Sequence, residues 1–135
     1  MKFKMLIIIL LLTTSLLFAY EFPFIEQYFY PKIVVVCFDK ETVSNPEGII
    51  DFEVKDGVVK TGIEAFDRLS EKYDFVDLEQ SVKALKDLEW NKNGIYPRNI
   101  YRIHLKNNKN IESVHKALSN EPYILFAEYE TKLRQ

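Results

Sequence analysis

Hydrophobic and polar positions alternate with a period of two in two stretches of this chain and follow a helical period in two others. Ile100–Leu105 sets Tyr101, Ile103 and Leu105 against Arg102 and His104. Phe75–Gln80 sets Val76 and Leu78 against Asp77 and Glu79. Both patterns predict half-buried strands, because successive side chains on a strand point to opposite faces. Lys32–Phe38 (KIVVVCF) is a continuous apolar run rich in β-branched residues, which predicts a central strand covered on both faces. Ile63, Phe66, Leu69 and Tyr73 recur at helical spacing behind Thr61 and Glu64, a capping box, and predict a helix over about 62–73. Ile111, Val114 and Leu118 predict a second helix, opened by Asn110, running to about Ser119 and stopped by Asn120 and Pro122. Tyr123–Glu130 supplies a last strand. Between Ile49–Val54 and Val58–Lys60, the pair Asp56-Gly57 is a strong hairpin signal. Asn45-Pro46-Glu47-Gly48 reads as a turn. Val82, Leu85 and Leu88 suggest a short helical insert that ends at Asn93-Gly94 and Tyr96-Pro97.

The order is strand, small hairpin, helix, strand, strand, helix, strand. With right-handed crossovers this predicts an α+β fold, the ferredoxin-like split βαβ: a four-stranded antiparallel sheet with two helices on one face, plus the small β-hairpin as an insertion. The other face of the sheet is then open. Asp77, Glu79, Arg102, His104 and Glu128 are expected to lie across it. A face of mixed charge can be simply solvated, or it can be a docking surface.

The N-terminus reads as an address. Lys2 and Lys4 precede the apolar run Met5–Leu12, and Ala19 offers a small residue for cleavage, so residues 1–19 are expected to be a signal peptide. Export then places the chain in a periplasm or outside the cell; an uncleaved membrane anchor is the minor alternative. The apolar run is short for a transmembrane helix, so stable insertion is not expected. Residues 20–31 form an aromatic leader with Tyr20, Phe22, Phe24, Tyr28, Phe29 and Tyr30, closed by Pro31. It could dock on a partner or pack across its own domain. The domain itself spans residues 32–130, and 131–135 form a tail.

Composition narrows the function. The 135 residues suffice for one domain, with 18 Lys+Arg against 20 Asp+Glu. Without residues 1–19 the balance becomes 16 against 20, a net charge of −4, and no nucleic-acid partner is expected. A hydrophobic share of 47% excludes a disordered chain. The lone Cys37 excludes an internal disulfide, and its place in an apolar run suits a buried small hydrophobe better than a catalytic thiol. The four glycines, at 48, 57, 62 and 94, fit no phosphate-loop spacing. His104 reads as a sheet-face residue and His115 as a solvent-facing helix residue, neither with a ligand partner at metal-binding spacing. No catalytic residue, metal or cofactor is expected, and the free chain is expected to be a monomer of marginal stability.

Several segments resemble the N-terminal prodomain of secreted subtilisin-like serine proteases, the fervidolysin-like variety among inhibitor-type propeptides. They are Lys32–Phe38 (KIVVVCF), Val58–Tyr73 (VVKTGIEAFDRLSEKY) with Phe75–Leu78 (FVDL), Asn99–Leu105 (NIYRIHL) and Ile111–Glu128 (IESVHKALSNEPYILFAE). The resemblance implies the same ferredoxin-like fold and a job as intramolecular chaperone and temporary inhibitor of a subtilisin-like protease. It implies that the open sheet face docks on the catalytic domain while the following segment enters the active-site cleft as an added strand. That segment would be Tyr129, Glu130, Thr131, Lys132, Leu133, Arg134 and Gln135, the last three nearest the catalytic serine. Tyr129-Glu130-Thr131 replaces the proline-asparagine-tyrosine usual in the family. The residues to Gln135 hold no Asp, His, Ser catalytic domain. Three expectations therefore stand: an inhibitor or chaperone acting in trans, the front piece of a split or truncated protease gene, and an envelope binding module that kept the fold without a protease.

Overall fold

The structure, a computed structural model, describes residues 28–43, 49–81 and 96–132. The expected signal peptide, residues 20–27 of the leader, the turn at 45–48, the helical insert at 82–88 with Asn93-Gly94, and Leu133, Arg134 and Gln135 lie outside the described residues. The elements are β1 (Phe29–Phe38), β2 (Glu53–Lys55), β3 (Val58–Lys60), α1 (Glu64–Tyr73), β4 (Phe75–Gln80), β5 (Ile100–Leu105), α2 (Ile111–Ser119) and β6 (Ile124–Thr131). The chain divides into two units. Pro31–Glu130 is one, and the described part of the other consists of residues 28–30 and 131–132.

The main sheet has the order β4-β5-β1-β6, and β2-β3 form a separate two-stranded sheet. β1 and β4 each pair antiparallel with β5, with Val34 opposite Ile103, Val36 opposite Tyr101 and Leu78 opposite Ile103. At the far side Asp39 N–H donates to the Tyr123 carbonyl at 2.8 Å. This is the split βαβ expected from the element order: the middle strand of the β4-β5-β1 trio is third in sequence, so α1 crosses over it.

One face of the sheet is the core. Val34, Val36, Phe38, Tyr101, Ile103 and Leu105 are buried, as are Phe66 of α1 and Val114 and Leu118 of α2 in the same cluster. Phe66 lies 5.5 Å from both Phe38 and Phe75, and Tyr101 meets Phe38 edge-on at 5.7 Å. Burying each such ring contributes roughly 1.5–3 kcal/mol, so this aromatic run joins α1 to three strands. The hairpin is tied on by polar contacts: the buried Ser70 hydroxyl donates to the Val59 carbonyl at 2.7 Å, and Lys60 pairs with Glu71. Asp56 and Gly57 have φ of 54° and 76°, the two left-handed positions of a type I′ turn.

Local details depart from the sequence pattern. β1 begins at Phe29, so Pro31 lies inside it rather than before it. Its outer face is not fully covered, since Ile33 and Val35 are only half-buried. The capping box does not form: Ile63 is the N-cap and has no side-chain cap bond. Instead the Asp67 carboxylate accepts from Thr61 N–H (2.8 Å), the Thr61 hydroxyl (2.9 Å) and Gly62 N–H (3.0 Å). Gly62 has φ of 84°, which aims these donors back over the first turn. Glu64 faces out and pairs with Arg68. α2 starts after Asn110 as expected, but the Asn110 side chain makes no capping bond. In β4 a register shift between Phe75 and Asp77 makes Val76 the extra residue, so Phe75 and Leu78 are both buried.

Candidate functional site on the open sheet face

The register places four of the predicted face residues together. Asp77 is opposite His104, which is opposite Ile33; Glu79 is opposite Arg102, which is opposite Val35. Two apolar residues of β1 therefore lie in the middle, with charge on either side. On β6 the alternation is fixed by contacts: Tyr129 stacks on His115 of α2, while Glu130 reaches Arg102. Glu128 has the parity of Glu130 and is exposed, so the fifth predicted residue belongs to the same face.

Ion pairs organise this surface. Arg102 Nε and Nη2 donate to the two Glu130 carboxylate oxygens, each at 3.1 Å, and Nη1 donates to the Ser81 carbonyl at 3.2 Å. Both side chains are largely shielded, with 29% and 20% of the side chain exposed. The hydrogen bond to Glu130 holds the guanidinium charged more firmly than usual, against the opposing effect of burial. His104 Nε2 lies 3.2 Å from Glu79 Oε2. Asp77 Oδ1 accepts from Leu78 N–H at 2.9 Å, which leaves its side chain facing outward.

The last strand expected over Tyr123–Glu130 forms as β6 and runs on to Thr131, which takes in the first three residues of the predicted tail. Tyr129, Glu130 and Thr131 belong to β6, and they point in different directions. Tyr129 packs under α2, where His115 stacks on it at 4.7 Å. His115 is thus half-buried rather than solvent-facing, and its Nε2–H donates to the Ala127 carbonyl at 2.8 Å. Lys132 N–H donates to the Tyr28 carbonyl at 2.9 Å, and the Lys132 ammonium lies 6.0 Å from the centre of the Tyr30 ring. Glu130, a residue of the predicted tail, also lies on the face, and its alternation with Glu128 is the sequence signal for that.

A cleft lies along the outer side of β4. The buried Tyr101 hydroxyl accepts from Ile50 N–H at 2.9 Å and so fixes the segment before β2 beside the sheet. The cleft has a volume of about 570 Å³, with Ile50, Phe52, Leu78 and Tyr101 as apolar lining and Asp77, Glu79 and His104 as polar lining. Phe52 was not singled out from the sequence; as a large apolar residue 40% exposed, it stands out only in three dimensions.

Other chemistry is sparse. Cys37 is fully buried, and burial pushes its thiol up to about 11, the opposite of activation. Among the described residues no group of three or more His, Cys, Asp or Glu is placed to hold a metal ion, and no helix is long and apolar enough to cross a membrane. No family model, curated protein or solved structure matches this chain.

Proposed function

We propose that this domain is a protein-docking module that seats the open face of its sheet on a subtilisin-like serine protease and acts as its inhibitor, its folding chaperone, or both. The resemblance of its strand and helix segments to subtilisin-like prodomains supplies the partner. The observation that carries the docking mode is the face itself: Ile33 and Val35, half-buried at its centre, are flanked by the Arg102–Glu130 and His104–Glu79 pairs. An apolar centre with a charged rim is the layout of a protein interface.

This reading gives the inserted strand to the residues that follow β6. Tyr129, Glu130 and Thr131 are held in β6, so the product-like strand would be formed by Lys132 and residues 133–135. The same placement favours a second reading, in which sheet-face docking alone gives a binding module of the envelope without inhibition.

The test is inhibition and binding measured together. The purified chain should bind and inhibit a subtilisin-like protease at micromolar concentration or below. Removal of residues 133–135 should weaken inhibition more than binding. Binding without inhibition would select the second reading, and neither binding nor inhibition for any such protease would overturn both partner and mode.

A further inference from the structure

We propose that the cleft beside β4 is a receptor for an arginine side chain presented by the docking partner. This deepens the docking reading by naming the chemistry of one partner residue, and it rests on that reading for the partner but not for the cleft. Three features select arginine. The cleft is of ligand size, about 570 Å³, and its exposed wall is Phe52. Asp77 and Glu79 line it from alternate positions of β4, about 7 Å apart along the strand, beside His104, and no described Lys or Arg lines it. Each carboxylate has only one oxygen in a described bond, Asp77 Oδ1 with Leu78 N–H and Glu79 Oε2 with His104.

A planar guanidinium with five donors spans two separated acceptors and stacks on an aromatic face; a lysine ammonium does neither as well. Its aliphatic stem would lie along Ile50 and Phe52. The cleft therefore distinguishes a cationic side chain with an apolar stem from an apolar side chain of the same shape.

The probe is N-acetyl-arginine amide, with N-acetyl-citrulline amide as the neutral isostere, titrated into the ¹⁵N-labelled chain at low salt. Arginine amide should saturably shift the amide signals of Phe52, Asp77 and Glu79. Citrulline amide should bind at least about tenfold more weakly, since hydrogen bonds to charged groups are the stronger class. Asp77→Asn and Phe52→Ala, each checked for native signal dispersion, should each weaken the arginine response severalfold. Absence of a saturable response to arginine amide, or an equal response to citrulline amide, overturns the inference. Protease binding and inhibition measured on the same samples separate the two readings. A chain that docks on the protease but ignores arginine amide loses only the cleft, and one that binds arginine amide but no protease loses only the docking partner.

Discussion

Arg102 of β5 reaches over β1 and grips Glu130 of β6 with two hydrogen bonds of 3.1 Å each, so that two strands that never pair directly are clamped across the open face. The reach covers two strand spacings, about 10 Å, and Val35 lies opposite Arg102 beneath it. The bidentate geometry and limited exposure set this pair apart from an ordinary surface ion pair. It also fixes the charge pattern that a docking partner would meet.

Breaking the clamp should therefore cost stability. Glu130→Gln removes the charge but keeps the shape, and should destabilise the domain by about 1–2 kcal/mol, visible as a lower urea midpoint. A double-mutant cycle with Arg102→Met should return a coupling near 1 kcal/mol. A coupling indistinguishable from zero would mean that the two groups are independently solvated.

The start of α1 gives a second contrast. Asp67 holds Thr61 and Gly62 by three bonds, whereas Glu64 is at the surface. Asp67→Ala should cost about 2 kcal/mol, as loss of a helix cap does at the upper end, while Glu64→Ala should change stability by less than about 0.5 kcal/mol. A capping box would give a substantial loss at Glu64, so equilibrium unfolding of the two variants decides which arrangement holds.

Alkaline pH should unfold the protein through its buried acids. Burial raises Cys37 from 9.0 to about 11, and it raises Tyr101 and Tyr123 as well, their hydroxyls being withdrawn from water. A group whose pKa is raised by folding binds its proton more tightly in the native state. Its contribution is complete below the unfolded value and is lost as pH climbs toward the folded one. For Cys37 stability should fall by about 1.4 kcal/mol per pH unit between roughly 9 and 11. Cys37→Ala should flatten that part of the profile in urea midpoints measured from pH 7 to 11. An unchanged slope would show that the thiol is not the group responsible.

The fold was legible where side-chain period alone decides position. Tyr101, Ile103 and Leu105 are buried and Arg102 and His104 are not, as the alternation in β5 requires. Asp56-Gly57 forms its turn because both residues can take positive φ. Four of the five face residues, Asp77, Glu79, Arg102 and His104, followed from the same alternation once the strand order was known. What escaped the pattern depends on contacts between elements. Asp67 caps Thr61 because Gly62 turns the chain back, and the helical spacing favours Glu64 equally well. The extra residue at Val76 leaves no mark in a run that already alternates. His115 has the spacing of a surface residue and is drawn in by Tyr129 and the Ala127 carbonyl. The cleft beside β4 exists because Ile50 is bonded to Tyr101, 51 positions away in the sequence.

The most direct test of the docking face is Val35→Lys, a charge placed at the apolar centre with its core-facing neighbours Val34 and Val36 untouched. With the variant shown to be folded by its circular dichroism and urea midpoint, affinity for a subtilisin-like protease that binds the wild-type chain should fall at least about a hundredfold, since docking would have to strip water from an added charge and lose the apolar contact of Val35. A folded Val35→Lys variant that binds and inhibits as the wild type does would contradict docking through this face.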